Sequence, residues 1–187
     1  NGLADFTDAG VLTLIETTSP GIGGDDEIYT GNGADVVLGG AGTDFIRTGV
    51  GDDIVLGDNG RAEFSGTTGF LNVIETTDSL IGGADEIHAG DGVDVVFGGI
   101  GGDLILAGGT DQARDIVLGD NGRATFDGTD GSLYSVETTV ELGQDGMPLD
   151  AGDDVITTGG GSDVVLGGGG SDVILAATEG DQASVDA

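Results

Sequence analysis

The chain repeats itself every nine residues, and that period excludes most folds. Gly39-Gly40-Ala41-Gly42-Thr43-Asp44-Phe45-Ile46-Arg47 is its clearest copy. The aspartate of this frame recurs at Asp26, Asp35, Asp44 and Asp53, then at Asp85, Asp94, Asp103 and, after a three-residue insertion, Asp115, and finally at Asp154, Asp163 and Asp172. Two residues after each stands an aliphatic: Ile28, Val37, Ile46 and Val55; Ile87, Val96, Ile105 and Val117; Ile156, Val165 and Ile174. Gly-x-Gly-x-Asp does not sustain a helix and supplies the positive-φ backbone that tight turns use. The x-aliphatic-x that follows is a three-residue strand with one side chain pointing inward. Strand, turn, strand, turn in eighteen residues makes one coil of a flattened, all-β solenoid. Stacked coils pair their strands in parallel, about 4.8 Å apart. This places Asp26 over Asp44, Asp35 over Asp53, Asp85 over Asp103, Asp94 over Asp115, and Asp154 over Asp172.

Such stacking has an electrostatic consequence. The chain sets 4 basic residues against 35 acidic ones, a formal net charge of −31. Self-repulsion of that size opposes a compact state unless a cation neutralises it. Carboxylate oxygens, no cysteine and one histidine suit a hard ion such as Ca²⁺ and exclude zinc or copper chemistry. Nucleic acid and anionic membrane surfaces are excluded as partners by the same charge. No apolar run is long enough to span a membrane, so no membrane insertion is expected.

A longer period contains the short one. Asn1-Gly2, Asn59-Gly60 and Asn121-Gly122 open units that step by 58 and then 62 residues, so the units are 1–58, 59–120 and 121–187. Each runs through a Glu-Thr-Thr triplet (Glu16, Glu75, Glu137) into a glycine–aspartate tract. The first two tracts close with Val-Leu-Gly-Asp, at Val55 to Asp58 and Val117 to Asp120. Asn1-Gly2 therefore stands where such a close has just ended, and the sequence is expected to be one continuous repeat solenoid taken from a larger chain.

The frame Gly-Gly-x-Gly-x-Asp-x-aliphatic-x, as in Gly39 to Arg47, resembles the RTX (repeats-in-toxin) nonapeptide of haemolysin-type calcium-binding proteins. The resemblance implies a right-handed parallel β-roll with Ca²⁺ between stacked turns on each edge. It implies as ligands the eleven aspartates named above, together with backbone carbonyls of turn glycines. In this sequence those glycines are Gly24, Gly33, Gly40, Gly42, Gly51, Gly92, Gly99, Gly101, Gly152, Gly161, Gly168 and Gly170. Six or more ions are expected. The family also implies export through a type I secretion channel, hence a secreted, extracellular or bacterial cell-surface location. Proteases, lipases, toxins and adhesins share the module, so the resemblance speaks for fold and ion more than for the activity of a whole protein.

Three segments depart from the frame: the first twenty residues, Gly57 to Leu80 and Gly119 to Pro148. There the ligand position holds Ala62, Leu71, Ala124 or Leu133. Phe64 lies nine residues beyond Val55 and nine before Val73, which predicts metal-free strands continuing the same roll, the alternative being a hairpin protruding from it. Asp58 and Asp120, in Gly-Asp-Asn-Gly, either bind the cation or close a turn. Residues flanking the inward aliphatics face outward. On one sheet they are mixed (Glu27 and Tyr29, Phe45 and Arg47, Glu86 and His88). On the other they are apolar throughout: Val36 and Leu38, Ile54 and Leu56, Val95 and Phe97, Ile116 and Leu118, Val164 and Leu166. Either such residues simply suit strands, or the stripe packs against another roll in lateral self-association, a neighbouring module, or the departing segments folded back over it.

Catalysis is not expected of this chain. A carboxylate pair is formally available, but each repeated aspartate has a structural use and a narrow roll offers no cleft. The sequence reads as a calcium-binding structural module that folds after secretion and serves as a stiff spacer, as in an adhesin. The alternative is the C-terminal folding and secretion module of an exported enzyme or toxin.

Overall fold

Short strands between glycine turns are what the repeat dictates, and the computed structural model, which describes residues 1–149, 152–176 and 182–184, is built of strands throughout. The first unit contributes β1 (Gly2–Phe6), β2 (Leu12–Thr17), β3 (Glu27–Asn32), β4 (Val36–Leu38), β5 (Phe45–Val50) and β6 (Ile54–Leu56). The second contributes β7 (Gly60–Phe64), β8 (Leu71–Thr76), β9 (Glu86–Asp91), β10 (Val95–Phe97), β11 (Leu104–Leu106) and β12 (Ile116–Leu118). The third contributes β13 (Gly122–Phe126), β14 (Leu133–Thr138), β15 (Val155–Gly159), β16 (Val164–Leu166), β17 (Val173–Ala176) and β18 (Gln182–Ser184).

Two parallel sheets form the roll, in the orders β3-β5-β9-β11-β15-β17 and β4-β6-β10-β12-β16-β18. Their registers are those of the nonapeptide. One sheet stacks Ile28, Ile46, Ile87, Ile105, Ile156 and Ile174 in a single row. The other stacks Val37, Val55, Val96, Val117 and Val165. An isoleucine ladder therefore faces a valine ladder, and this thin interface, with Ala89 and Ala107, is the core of the roll. Ile28 and Ile174, at its two ends, are only partly buried.

The three departing segments do not continue the roll. Each is a β-hairpin (β1–β2, β7–β8, β13–β14), and the hairpins join edge to edge into a third, antiparallel sheet, β1-β2-β7-β8-β13-β14. The nine-residue spacing of Phe64 and Val73 misleads because it spans a tight reversal, not a coil. Ser65 to Phe70 closes on itself, with Gly69 N–H donating to the Ser65 carbonyl at 2.8 Å and Gly69 at φ +78°. Each unit thus supplies four strands to the roll, against the six a continuous roll would need, and two to the hairpin sheet.

The hairpin sheet lies over the apolar stripe. Across its strands Ala4, Ile15, Ala62, Ile74, Ala124 and Val136 share one row. From Ile15 to Val136 this row packs with Leu56, Val95, Phe97, Ile116 and Leu118 of the roll in a second core. Phe97, Leu56 and Leu118 are fully buried there. Of the possible covers for that stripe, the chain supplies its own, so lateral self-association has no free apolar face at these residues. Burial of this kind stabilises by about 1.5–3 kcal/mol for each large side chain.

Roll and hairpin sheet stay in step because their pitches match. Every unit adds two strands to each of the three sheets. At about 4.8 Å per strand, both layers advance by roughly 10 Å per unit.

Candidate metal centre

Two columns of aspartate run the length of the roll, one along each edge. On the first, the backbone N–H of Asp26 donates to Oδ1 of Asp44, Asp44 to Asp85, Asp85 to Asp103, Asp103 to Asp154 and Asp154 to Asp172, at 2.7–3.0 Å. On the second, Asp35 donates to Asp53, Asp53 to Asp94, Asp94 to Asp115 and Asp115 to Asp163, at 2.9–3.0 Å. All eleven aspartates of the frame are thereby brought into line, and the five stacked pairs expected from sequence are present. The columns also run unbroken across the unit boundaries, because each hairpin leaves and re-enters within one turn.

Each carboxylate is half used. Oδ1 takes the N–H of the coil before it. Oδ2 of Asp35, Asp44, Asp53, Asp85, Asp94, Asp103, Asp115, Asp154 and Asp172 is buried with no hydrogen-bond partner. A buried carboxylate oxygen without a donor costs several kcal/mol, so such atoms are rarely left alone. Burial, reinforced by neighbouring carboxylates, pushes Asp85, Asp115 and Asp154 up to about 7, Asp94 up to about 8 and Asp103 up to about 10. Asp44, Asp53 and Asp172 are raised for the same first reason, burial. A row of orphaned hard oxygens with raised proton affinity suits a divalent cation.

The turn backbone completes the donor set. No three His, Cys, Asp or Glu side chains converge among the described residues, so any ion has to draw most of its ligands from carbonyls. The glycines make room for this. A Cβ on Gly42 would lie 2.6 Å from the Gly24 carbonyl oxygen, and one on Gly170 would lie 1.9 Å from that of Gly152. Gly42 and Gly51 adopt φ +139° and +147°, as do the expected Gly33, Gly40, Gly92, Gly99, Gly101, Gly161, Gly168 and Gly170 in the same left-handed half of the map. Sequence reasoning overlooked the glycine that opens each first-edge turn. A Cβ on Gly39, Gly57, Gly98, Gly119 or Gly167 would come within 2.5 Å of the orphaned Oδ2 of Asp44, Asp85, Asp103, Asp154 or Asp172 respectively.

Asp58 and Asp120 sit where a hairpin interrupts a first-edge turn. Asp58 accepts the N–H of Gly83 on the returning strand at 3.0 Å and that of Ile100 in the next coil at 2.6 Å. Asp120 does the same with Gly152 at 3.0 Å and Gly169 at 2.6 Å. Both oxygens of each carboxylate accept a backbone N–H across the broken turn. Burial pushes each up to about 8, and the like charges of Asp85 and Asp154 add to the rise. A further set was missed: Asp25, Asp52 and Asp153 accept the N–H of Thr43, Val93 and Ser171 one coil on. The Asp-Asp doublets that contain them were the available signal.

Comparison with protein families agrees with this geometry. The model of the RTX calcium-binding nonapeptide repeat matches residues 20–55, 82–105 and 150–178, in four copies. The chain carries four copies of the RTX calcium-binding nonapeptide repeat. Its unmatched stretches hold the three hairpins, and of the aspartates with an orphaned Oδ2 named above only Asp115 lies outside the matched residues. No curated protein matches the chain. As an RTX protein it is a calcium-binding repeat module, and the orphaned Oδ2 atoms with the adjacent glycine carbonyls fit Ca²⁺ in charge, hardness and donor type. When bound, the ion supplies the positive charge the two columns lack. The chain's own part is to align the carboxylates through the Asp N–H to Oδ1 bonds and to bring carbonyls close through glycine.

Proposed function

We propose that this chain is a calcium-stiffened spacer of an extracellular or cell-surface protein, adhesin-like, which stays unfolded during secretion and folds on meeting Ca²⁺ outside. The observation that carries the reading is the identical contribution of each unit to all three sheets. Such a unit lengthens a rod without creating a cleft, which suits a structural part and not a catalytic one. Calcium is taken by the eleven column aspartates and the turn glycine carbonyls, six or more ions in two rows, with Asp58 and Asp120 beside the first row. The whole chain acts as one solenoid of three units.

Isothermal titration with Ca²⁺, together with small-angle scattering, tests this. The expected result is uptake of at least six ions and contraction from an expanded coil to a body about 30 Å along its stacking axis, three units of roughly 10 Å each. A chain that stays expanded in calcium, or uptake of one or two ions, would exclude the spacer.

A further inference from the structure

We infer that Asn59 and Asn121 are calcium-guarded deamidation sites: without the ion each closes onto the glycine after it and loses its amide, and the product no longer rebuilds the joint between units. The inference rests on the calcium-dependent folding proposed above.

The chemistry begins in the sequence. In an Asn-Gly pair the glycine backbone nitrogen attacks the asparagine Cγ, because no side chain hinders its approach. A C–N bond forms, the side-chain nitrogen leaves as ammonia, and water then opens the cyclic imide to aspartate or isoaspartate. Water is the sole co-reactant. Asn32-Gly33, Asn59-Gly60 and Asn121-Gly122 are such pairs, whereas Asn72 precedes the branched Val73. Close packing requires the glycine at 60 and 122. A Cβ on Gly60 would lie 2.6 Å from the Glu75 carbonyl oxygen, and one on Gly122 would lie 2.5 Å from that of Glu137. The fold therefore gives both asparagines their most reactive neighbour.

The same fold disarms the two pairs. Asn59 and Asn121 are only 2 % and 1 % exposed. Asn59 Nδ2 donates to the Ile81 carbonyl at 2.8 Å and to that of Pro20 at 3.4 Å, and Asn121 Nδ2 donates to that of Ser79 at 3.1 Å. The Gly60 N–H donates to Thr17 Oγ1 at 3.2 Å and the Gly122 N–H to Thr76 Oγ1 at 3.0 Å. Leaving group and nucleophile are each held, and the water that must take up the proton is excluded. Asn32 differs. Its side chain is exposed at the end of β3, and of its two reacting groups the glycine is the one held, the Gly33 N–H donating to the Val50 carbonyl at 2.8 Å.

The bonds that guard the amides are also the ones their loss destroys. Pro20 lies in the first unit and Asn59 in the second, Ser79 in the second and Asn121 in the third, so each amide ties neighbouring units. Either product sets a carboxylate oxygen against carbonyls that had a donor, next to the buried Asp58 or Asp120. Isoaspartate also lengthens the backbone by one carbon just before β7 or β13, out of step with the pairing of Gly60 with Thr76 and of Gly122 with Thr138. A chain that waits without calcium is thus marked irreversibly.

The test is peptide-mapping mass spectrometry of protein held at neutral pH in calcium or in chelator, with circular dichroism on the same samples. In chelator the three asparagines should convert at similar rates. In millimolar Ca²⁺, Asn59 and Asn121 should convert roughly tenfold or more slowly than in chelator, because reaction then waits on local opening of buried structure. They should also convert more slowly than Asn32 in the same sample. The double variant Asn59→Asp, Asn121→Asp, which copies the simpler product, should need more calcium for half folding. Conversion in the folded calcium form as fast as in chelator overturns the guarding, and a double variant with an unmoved calcium midpoint overturns its consequence. A chain that stays unfolded in calcium overturns the calcium reading and the guarding with it.

Discussion

The roll and the hairpin sheet run side by side with one pitch, yet they hold together by opposite means. The roll has one inward aliphatic per strand, and its edges are rows of buried carboxylates. The hairpin sheet carries its charges on the outside and in matched signs: Glu16, Arg61, Glu75, Arg123 and Glu137 share one outward row. Two of the four basic residues of the chain are spent there. None of the orphaned oxygens lies in the hairpin sheet among the described residues. The difference teaches that the same strand spacing tolerates a column of like charges only with an external cation, and needs none where the sequence alternates the charges itself.

Removing calcium should therefore have the largest effect, and it should strike the roll first. Chain entropy of about 1–2 kcal/mol per residue exceeds what so thin a core returns. The hairpin sheet has no ions to lose, but its apolar row rests on Phe97, Leu56 and Leu118 of the roll. Both layers are thus expected to melt in one transition on chelation, read by hydrogen exchange at β8 and β13 against β10 and β12. Protection that persists in the hairpins after the roll has opened would show them to be an independent unit. Mg²⁺ should restore little, since it demands shorter, octahedral coordination.

Next in size is the loss of one column aspartate. Asp103→Ala removes an orphaned oxygen and the acceptor for the Asp85 N–H, in the middle of the first column. The calcium concentration for half folding should rise about tenfold or more, in line with a penalty of a few kcal/mol for a buried unsatisfied group. Asp130→Ala, at an exposed hairpin tip where the carboxylate accepts from the Ser132 hydroxyl and N–H, should leave that midpoint unmoved. Equal shifts for the two would mean that the aspartates act through bulk charge alone.

These columns were legible in the sequence because the period of nine fixes turn, ligand and inward aliphatic at once. All eleven aspartates and all eleven aliphatics fall where the frame places them, and the glycines at the second and fourth turn positions take left-handed backbone, except Gly24, Gly83 and Gly152, which stand in the turn that follows a hairpin. The hairpins were not legible from spacing, since a reversal at Ser65 to Phe70 and a coil of the roll put Phe64 and Val73 the same nine residues apart. Their signal was chemical: Ala62 and Ala124 stand where a ligand should be, and flank Ile74 in the row that packs on the roll. The apolar stripe and the departing segments were each visible alone. That one covers the other depends on a pitch match that only the three-sheet arrangement makes apparent.

The calcium-free protein should respond to pH in the opposite sense to most acidic proteins. Burial raises column carboxyls above their ordinary 3.8, Asp85, Asp115 and Asp154 to about 7, Asp94 to about 8 and Asp103 to about 10. Between about pH 4 and 8 the folded roll then holds more protons than the unfolded chain, so stability falls as pH rises through that window. In chelator, residual β-structure is expected to be greatest near pH 4–5 and lost by about pH 8. With calcium present the trend reverses, because protons and ions compete for the same Oδ2 atoms, and affinity climbs over the same range. Dichroism followed against pH in both conditions checks this, and a flat calcium-free curve would mean that the carboxylates stay hydrated.

The smallest effect belongs to the hairpin sheet and isolates it from the roll. Glu75 bridges two hairpins, its Oε1 2.6 Å from Arg61 Nε and its Oε2 3.1 Å from Arg123 Nε. The three side chains are 25–40 % exposed, which limits each pair to about 0.2–1 kcal/mol. Glu75→Gln should accordingly lower thermal stability in saturating calcium by about 1 kcal/mol, more at low salt than at high. It should leave the calcium midpoint where it was, since no column residue touches this row. Arg61→Glu is the sharper probe: it sets Glu63, Glu75 and Glu16 around a fourth carboxylate and turns the charge pattern of the hairpin sheet into that of the roll. If the comparison holds, the Arg61→Glu sheet becomes unstable in calcium as well as without it, because its outward row has no carbonyls arranged to seat an ion. Recovery of the Arg61→Glu protein at higher calcium would instead show that a stack of carboxylates at strand spacing recruits the cation without help from glycine turns.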